Sequence, residues 1–329
     1  MLRSMYSGIS GMKVNQTKLD VIGNNIANVA TTGFKSSRAE FKDMLYQNSG
    51  EASAPISTKG GTNAKQVGLG AQLSSINKVM GQGNALSTGR SLDVCVDGDG
   101  YLIVGSGNII ASNPVANNAF EGNTGGTTGN ESLDVLYTRD GNLTLDYQGN
   151  LLTADGYRVM GYNIGLEHTV DGITATFVEA DKGKDSIKSD ALVPLAIPDK
   201  VGDQAVRTFE IGKDGVVTAI LGNGTRSALG QIAMASFKNP EGLTSIGGNL
   251  LQISSNSGDT IIKSWLGAGE ATNNSKAFGE FIQGALEGSN VDLTEQFTDM
   301  ITATRSFQAA SKMITTGDEI LQTITGLMR

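Results

Sequence analysis

At 329 residues the chain is long enough for two or three domains. Its net charge of −8 lacks the basic footprint of a nucleic-acid binder, and no run approaches the ~18 uninterrupted apolar residues of a membrane helix. A lone Cys95 excludes an intrachain disulfide framework, and a lone His168 excludes a histidine metal cluster and leaves little material for a Ser-His-Asp triad.

The first predicted element is a helix over 1–30. Met5, Met12, Leu19 and Ile26 fall seven apart, flanked by Leu2, Ile9, Ile22 and Val29, which puts them on one stripe, the seam of a coiled coil. Thr31-Thr32-Gly33 is the stop signal. Residues 31–75 read as an extended connecting segment, in which Phe34, Phe41, Leu45 and Tyr46 can pack ahead of a Gly/Ser/Thr-rich tract from Ser49 to Thr62. Over 76–162 the apolar period changes to two, the mark of strands. Asp97-Gly98, Asp99-Gly100, Asp140-Gly141, Gly149-Asn150 and Asp155-Gly156 punctuate it as hairpin-type turns. Leu92–Val96 and Tyr101–Val104 are expected as strands on either side of one such turn. Asp97-Gly98-Asp99-Gly100 has a superficial likeness to a calcium loop, but Tyr101 and Asn108 stand where an EF-hand needs an oxygen ligand and a bidentate Glu. Cys95, at an alternating strand position, reads as a small buried hydrophobe.

Residues 163–206 are less regular and more charged, carry His168, Pro194 and Pro198, and read as a short insertion. Strand signals resume over 207–285, the second part of the β region, with turns at Asp214-Gly215 and Asn223-Gly224. The last element, 286–329, is a second helix. Leu286, Leu293, Met300, Phe307, Ile314, Leu321 and Met328 again fall every seven, backed three residues on by Ala303, Ala310 and Ile324, which are read as letting another helix come close. Asn290 or Asp292 is the expected N-cap.

The ends complement each other. Residues 1–29 carry Arg3, Lys13 and Lys18 against Asp20, whereas 286–329 carry Glu287, Asp292, Glu295, Asp299, Asp318 and Glu319 against Arg305, Lys312 and Arg329. Opposite sign favours pairing of the two helices with each other. Burying one seam offsets less than the entropy of ordering both ends, so the termini are expected to order fully only beside neighbouring subunits. The expected fold is α+β and multidomain, with paired N- and C-terminal coiled-coil helices enclosing mainly antiparallel β domains. No phosphate-cradling or dinucleotide motif occurs in a suitable context, so no catalytic, cofactor-binding or metal residues are assigned and no enzyme is expected.

Asn24-Asn25-Ile26-Ala27-Asn28 followed by Thr32-Gly33-Phe34-Lys35 resembles the hallmark of the bacterial flagellar rod and hook axial proteins. The resemblance continues in order through Leu92–Gly100, Tyr137–Gly141, Gly230–Ala233, Asn239–Leu243 and Gly284–Leu293, the last including Ser289-Asn290-Val291-Asp292. Arg305-Ser306-Phe307-Gln308-Ala309 and Thr316–Leu321 are closer to the hook branch than to the distal-rod branch. The resemblance implies a subunit that polymerises with itself into a flexible, torque-transmitting tube, with the terminal helices lining a channel. It implies as partners the distal rod, the hook–filament junction, a hook cap and the type III export apparatus, and export from the cell without a cleavable signal peptide. It makes 163–206 a reduced outer domain, and it leaves the distal rod as the nearest alternative. Outside this class, a secreted β-rich adhesin with coiled-coil ends would present the same pattern of elements.

Overall fold

The computed structural model describes residues 2–55, 60–106, 115–116, 134–169, 172–180, 191–262 and 278–327. The chain divides into two compact units. One joins 1–29, 35–79 and 291–329; the other joins 30–34 with 80–290. Met328, the last residue of the expected seam, lies outside the described residues, as does Trp265.

The first unit contains α1 (Leu2–Ala27) and α2 (Leu293–Leu327). The segment expected as an extended connection forms two antiparallel ribbons instead. Ser37–Asp43 pairs with Ala71–Lys78, and Tyr46–Gly50 pairs with Lys65–Gly68. The Gly/Ser/Thr-rich tract that obscured the pairing is the link between the arms of the second ribbon. The chain then returns across α1 at Gly70 (φ +119°), where an added Cβ would lie 2.0 Å from Ser10 Oγ. Only glycine combines that backbone angle with that approach.

The 286–329 helix is shorter than its spacing suggested. Ala285–Glu287 is a strand, paired antiparallel with Ala85–Ser87, so Leu286 is not a seam residue. The helix starts at Leu293 because Asp292 caps it: its Oδ1 accepts from the Thr294 and Glu295 amides at 2.8 and 3.4 Å. Seven-residue spacing extended one step past the true start by coincidence, across the Gly288-Ser289-Asn290 break.

The second unit is antiparallel throughout its described pairings. A continuous path runs from Lys200–Val201 through Gln204–Ile211, Val216–Leu221, Arg226–Ile232 and Arg158–Asn163. It goes on through Tyr101–Ser106, Asp134–Thr138 and Leu250–Gln252 to Thr244–Gly247. Its central strands are buried on both faces. Leu102 and Val104 enter one apolar cluster with Val94, Leu136 and Val159; Tyr101 and Ile103 enter another with Tyr137, Met160 and Tyr162. That explains why Tyr101–Val104 is apolar at every position rather than at alternate ones. In the second cluster, Tyr137 meets Phe237 edge to face at 4.8 Å.

Most of the expected turn glycines have positive φ, including Gly98, Gly100, Gly149, Gly156, Gly215 and Gly224. Two expectations fail in detail. Val94–Asp97 and Tyr101–Ser106 do not form a hairpin with each other: the first pairs with Glu280–Gln283 and the second with Asp134–Thr138. Residues 163–206 are not an appendage in their described parts. Ala191–Pro194 pairs with Arg158–Asn163, and Ile164, Leu166, Leu192, Leu195 and Ala196 are core residues. Charge and prolines masked a segment that supplies these core residues, although Phe177 within it is 51% exposed. His168 sits on the strand Leu166–Thr169, opposite Ile173.

Cys95 is fully buried on the strand Val94–Asp97. A thiol reagent is therefore expected to leave it unlabelled in the native chain and to label it completely in denaturant.

Candidate assembly site

The seam residues are gathered within the first unit. α1 runs antiparallel to α2, and the register is visible in successive approaches. An added Cβ at Gly317 would lie 3.2 Å from Met5 Cγ, at Gly8 3.3 Å from Ile314 Cγ1, and at Gly11 3.8 Å from Ala310 Cβ. Farther along, Lys18 Nζ lies 3.2 Å from Asp299 Oδ1, and Asn25 Nδ2 donates to Gln296 Oε1 at 3.0 Å. The contact line is thus built on small residues, Gly8, Gly11, Ala303, Ala310 and Gly317, which let two backbones approach. Gly8 and Gly11 were not singled out in the sequence, although their spacing of three on a helix was the available signal. The Lys18–Asp299 pair is partly exposed, so it sets register more than it stabilises.

The expected seam is only partly covered. Ile22 is buried; Met5, Met12, Leu19, Ile26 and Val29 are half-buried, as are Met300, Phe307, Ile314 and Leu321; Leu293 is exposed. Beside that line α2 presents Phe297, Ile301, Met313, Ile320 and Ile324 to solvent, with Ile301 61% and Met313 53% exposed. The Tyr46–Gly50 ribbon likewise leaves Leu45, Tyr46 and Val67 exposed. A helix with apolar groups on more than one side is suited to more than one packing partner.

The motif asparagines have separate tasks. Asn25 is buried and clips the chain end of α1 to the first strand: its Nδ2 donates to Ser37 O at 2.8 Å and its Oδ1 accepts from Ser37 N at 2.9 Å. With the Gln296 bond, both ends of the amide are satisfied, as burial demands. Asn28 instead closes the helix terminus, its Nδ2 donating to Asn24 O at 2.9 Å and to Asn24 Oδ1 at 3.0 Å. Replacing Asn25 by Ala strands two backbone groups of Ser37 and is expected to cost about 1–3 kcal/mol in urea unfolding. Arg305 is exposed on α2 and donates to Gln308 Oε1 at 3.1 Å, away from the α1 contact line.

In the second unit the remaining motifs, distant in sequence, meet at one place. Thr32 Oγ1 donates to Asp140 Oδ1 at 3.0 Å, and Asn249 Nδ2 donates to Thr32 O at 2.8 Å. Gly33, at φ +67°, donates its amide to Glu287 O at 2.8 Å, and an added Cβ would lie 3.0 Å from the Arg139 carbonyl carbon. Asn290 donates its amide to Phe34 O at 3.4 Å and its side chain to Gly81 O at 3.2 Å. Beneath them Arg139 and Glu287 form an ion pair at 3.3 Å whose side chains are 4% and 0% exposed. Arg139 Nη2 also donates to Gly98 O at 2.8 Å, and its guanidinium lies over the Tyr101 ring, 5.1 Å from the centroid. Burial holds the Asp140 carboxyl above its usual range, against the opposing hydrogen bonds from Asn142 and Thr32. Arg139, Asp140, Glu287 and Asn249 were not picked out as site residues from sequence. Among the described residues, no group of acidic, His or Cys side chains is arranged to hold a metal.

Comparison with known proteins identifies the family. Family models match the chain at residues 5–35 (flagella basal body rod protein), 127–219 (flagellar hook protein FlgE/F/G D1 domain) and 282–327 (flagellar basal body rod FlgEFG protein, C-terminal). The flagellar basal-body rod protein FlgG of Bacillus subtilis is 42% identical over 329 residues, covering 100% of both chains. The flagellar hook protein FlgE of Borreliella burgdorferi is 30% identical over 452 residues, covering 99% of this chain and 100% of its own. The FlgG of Agrobacterium fabrum is 31% identical, covering 98% of both. The chain belongs to the bacterial flagellar rod and hook family of axial structural proteins. Its place is the flagellum, and its role there is structural.

Proposed function

We propose that this chain is the distal-rod subunit of the flagellar basal body. It polymerises through α1 and α2, whose paired surface is the part of the chain left open to other copies. The observation that supports assembly is the surface of α2: with α1 on one side, Ile301, Met313 and Ile320 still face solvent on the others. In a polymer, neighbouring copies cover them.

Length favours the rod over the hook that the C-terminal motifs suggested. The Bacillus subtilis FlgG aligns over 329 residues, the length of this chain, whereas the hook relatives align over 452 and 471 residues. The hook stands as the second reading because the 30% identity to a hook protein spans the full chain. An adhesin accounts for none of these matches. In either axial role the partners are the adjoining rod and hook subunits, the junction proteins, a cap and the type III export apparatus.

Complementation separates the two readings. Expressed in a Bacillus subtilis strain lacking its FlgG, the chain is expected to restore hooks and swimming, and in a strain lacking its hook protein it is not. Rescue of the hook mutant alone would reverse the assignment.

A further inference from the structure

The second unit is reached by the chain three times, at 30–34, at 80 and at 290. Within that unit, all three passages meet around Glu287, one through its carboxylate and the others through main-chain bonds at and beside it. The Gly33 amide donates to the Glu287 carbonyl at 2.8 Å. The Gly83 amide donates to Glu287 Oε1 at 3.0 Å, and the Gly288 amide donates to Asn84 O at 2.8 Å. The approach is close enough that an added Cβ at Gly83 would lie 2.0 Å from Gly288 O. Glu287 Oε2 then takes Arg139, which reaches on to Gly98 O.

Stability alone does not account for this pair. Two buried charges lose their hydration, and apolar groups of the same shape commonly stabilise a core as well or better. Here the arrangement is also incomplete, since Arg139 Nε is buried with no hydrogen-bond partner among the described residues. What the charges provide and apolar groups do not is direction: each oxygen of Glu287 is committed to a different segment.

We propose that Arg139 and Glu287 are a positioning pair, a clasp that binds the three chain passages of the β unit into one body, so that load arriving along any of them is shared by all. The clasp follows from the geometry of this unit; only the load rests on the axial role, and the test below does not depend on that role.

The test is residue-resolved hydrogen exchange on the full-length chain, comparing the parent with Arg139→Met, Glu287→Gln and the double variant. In each single variant the Gly33, Gly83 and Gly288 amides are expected to exchange about tenfold faster together, by local opening, while the core amides of Leu151 and Leu195 keep their rates. In the double variant the neutral pair is expected to restore the thermal midpoint and leave the three glycines fast. This variant keeps the test available if a single variant fails to fold. The proposal is overturned if Leu151 and Leu195 accelerate in step with the glycines, if Gly83 alone responds, or if the double variant returns all three to the parent rates.

Discussion

Replacing Glu287 by Gln is expected to lower the unfolding free energy by about 3–5 kcal/mol, the usual cost of leaving one buried charge without its partner. The substitution is nearly isosteric, and Gln retains an oxygen for the Gly83 amide. What it loses is the negative charge facing Arg139, whose side chain is 4% exposed and has no water to turn to. Its amide nitrogen also presents a donor where Arg139 presents donors. Against a total stability of about 5–15 kcal/mol, this is a large fraction. Equilibrium urea unfolding of the parent and variant chains, followed by the β-sheet signal, measures it. A loss below about 1 kcal/mol would mean that Arg139 is solvated or paired elsewhere.

Gly141→Ala is expected to be comparably severe, for a different reason. Asp140-Gly141 looks like a hairpin turn in the sequence, yet Gly141 is absent from the positive-φ glycines. Its requirement is space: an added Cβ would lie 1.6 Å from Val94 O, and the Val94 amide already donates to Gly141 O at 3.0 Å. Two main-chain segments touch there, and no side chain can rotate out of the way. The methyl group must push the strand Val94–Asp97 off the core, at a cost of about 3 kcal/mol or more. Gly156→Ala is the control, because its Cβ position is open and only its φ of +85° resists. The Gly141 variant should lose stability well beyond the Gly156 variant, and equal losses would refute the close-approach account.

These two sites mark the limit of what the sequence discloses. The helices are legible because their signal is local: Met300, Phe307, Ile314 and Leu321 repeat at the period of the element they form, and each is half-buried on α2. The same local rule overran at Leu286, where the alternation of buried Ala285 and Glu287 around a half-buried Leu286 is the strand pattern that decides. Glu287 itself reads as one more surface acid on a helix, and nothing nearby hints that it meets Arg139 across 148 residues. The Thr32–Asn249 bond spans 217 residues and is equally silent. Family resemblance flags the segments that hold Thr32, Arg139 and Glu287 but does not say that they meet. Residues 163–206 read as an insertion by composition, yet Leu192, Leu195 and Ala196 lie among charges and prolines and are core.

The central claim is that the flanks of α2 left open by α1 are where copies join. Ile301, Met313 and Ile320 are 61%, 53% and 49% exposed, so changing all three to Asp removes little packing from the single chain. Negative-stain electron microscopy of the concentrated parent and triple variant, matched by thermal unfolding of each at low concentration, tests the claim directly. The account predicts tubes from the parent, none from the variant, and unfolding midpoints of the two monomers that agree. Tubes of the same diameter from both chains would contradict it.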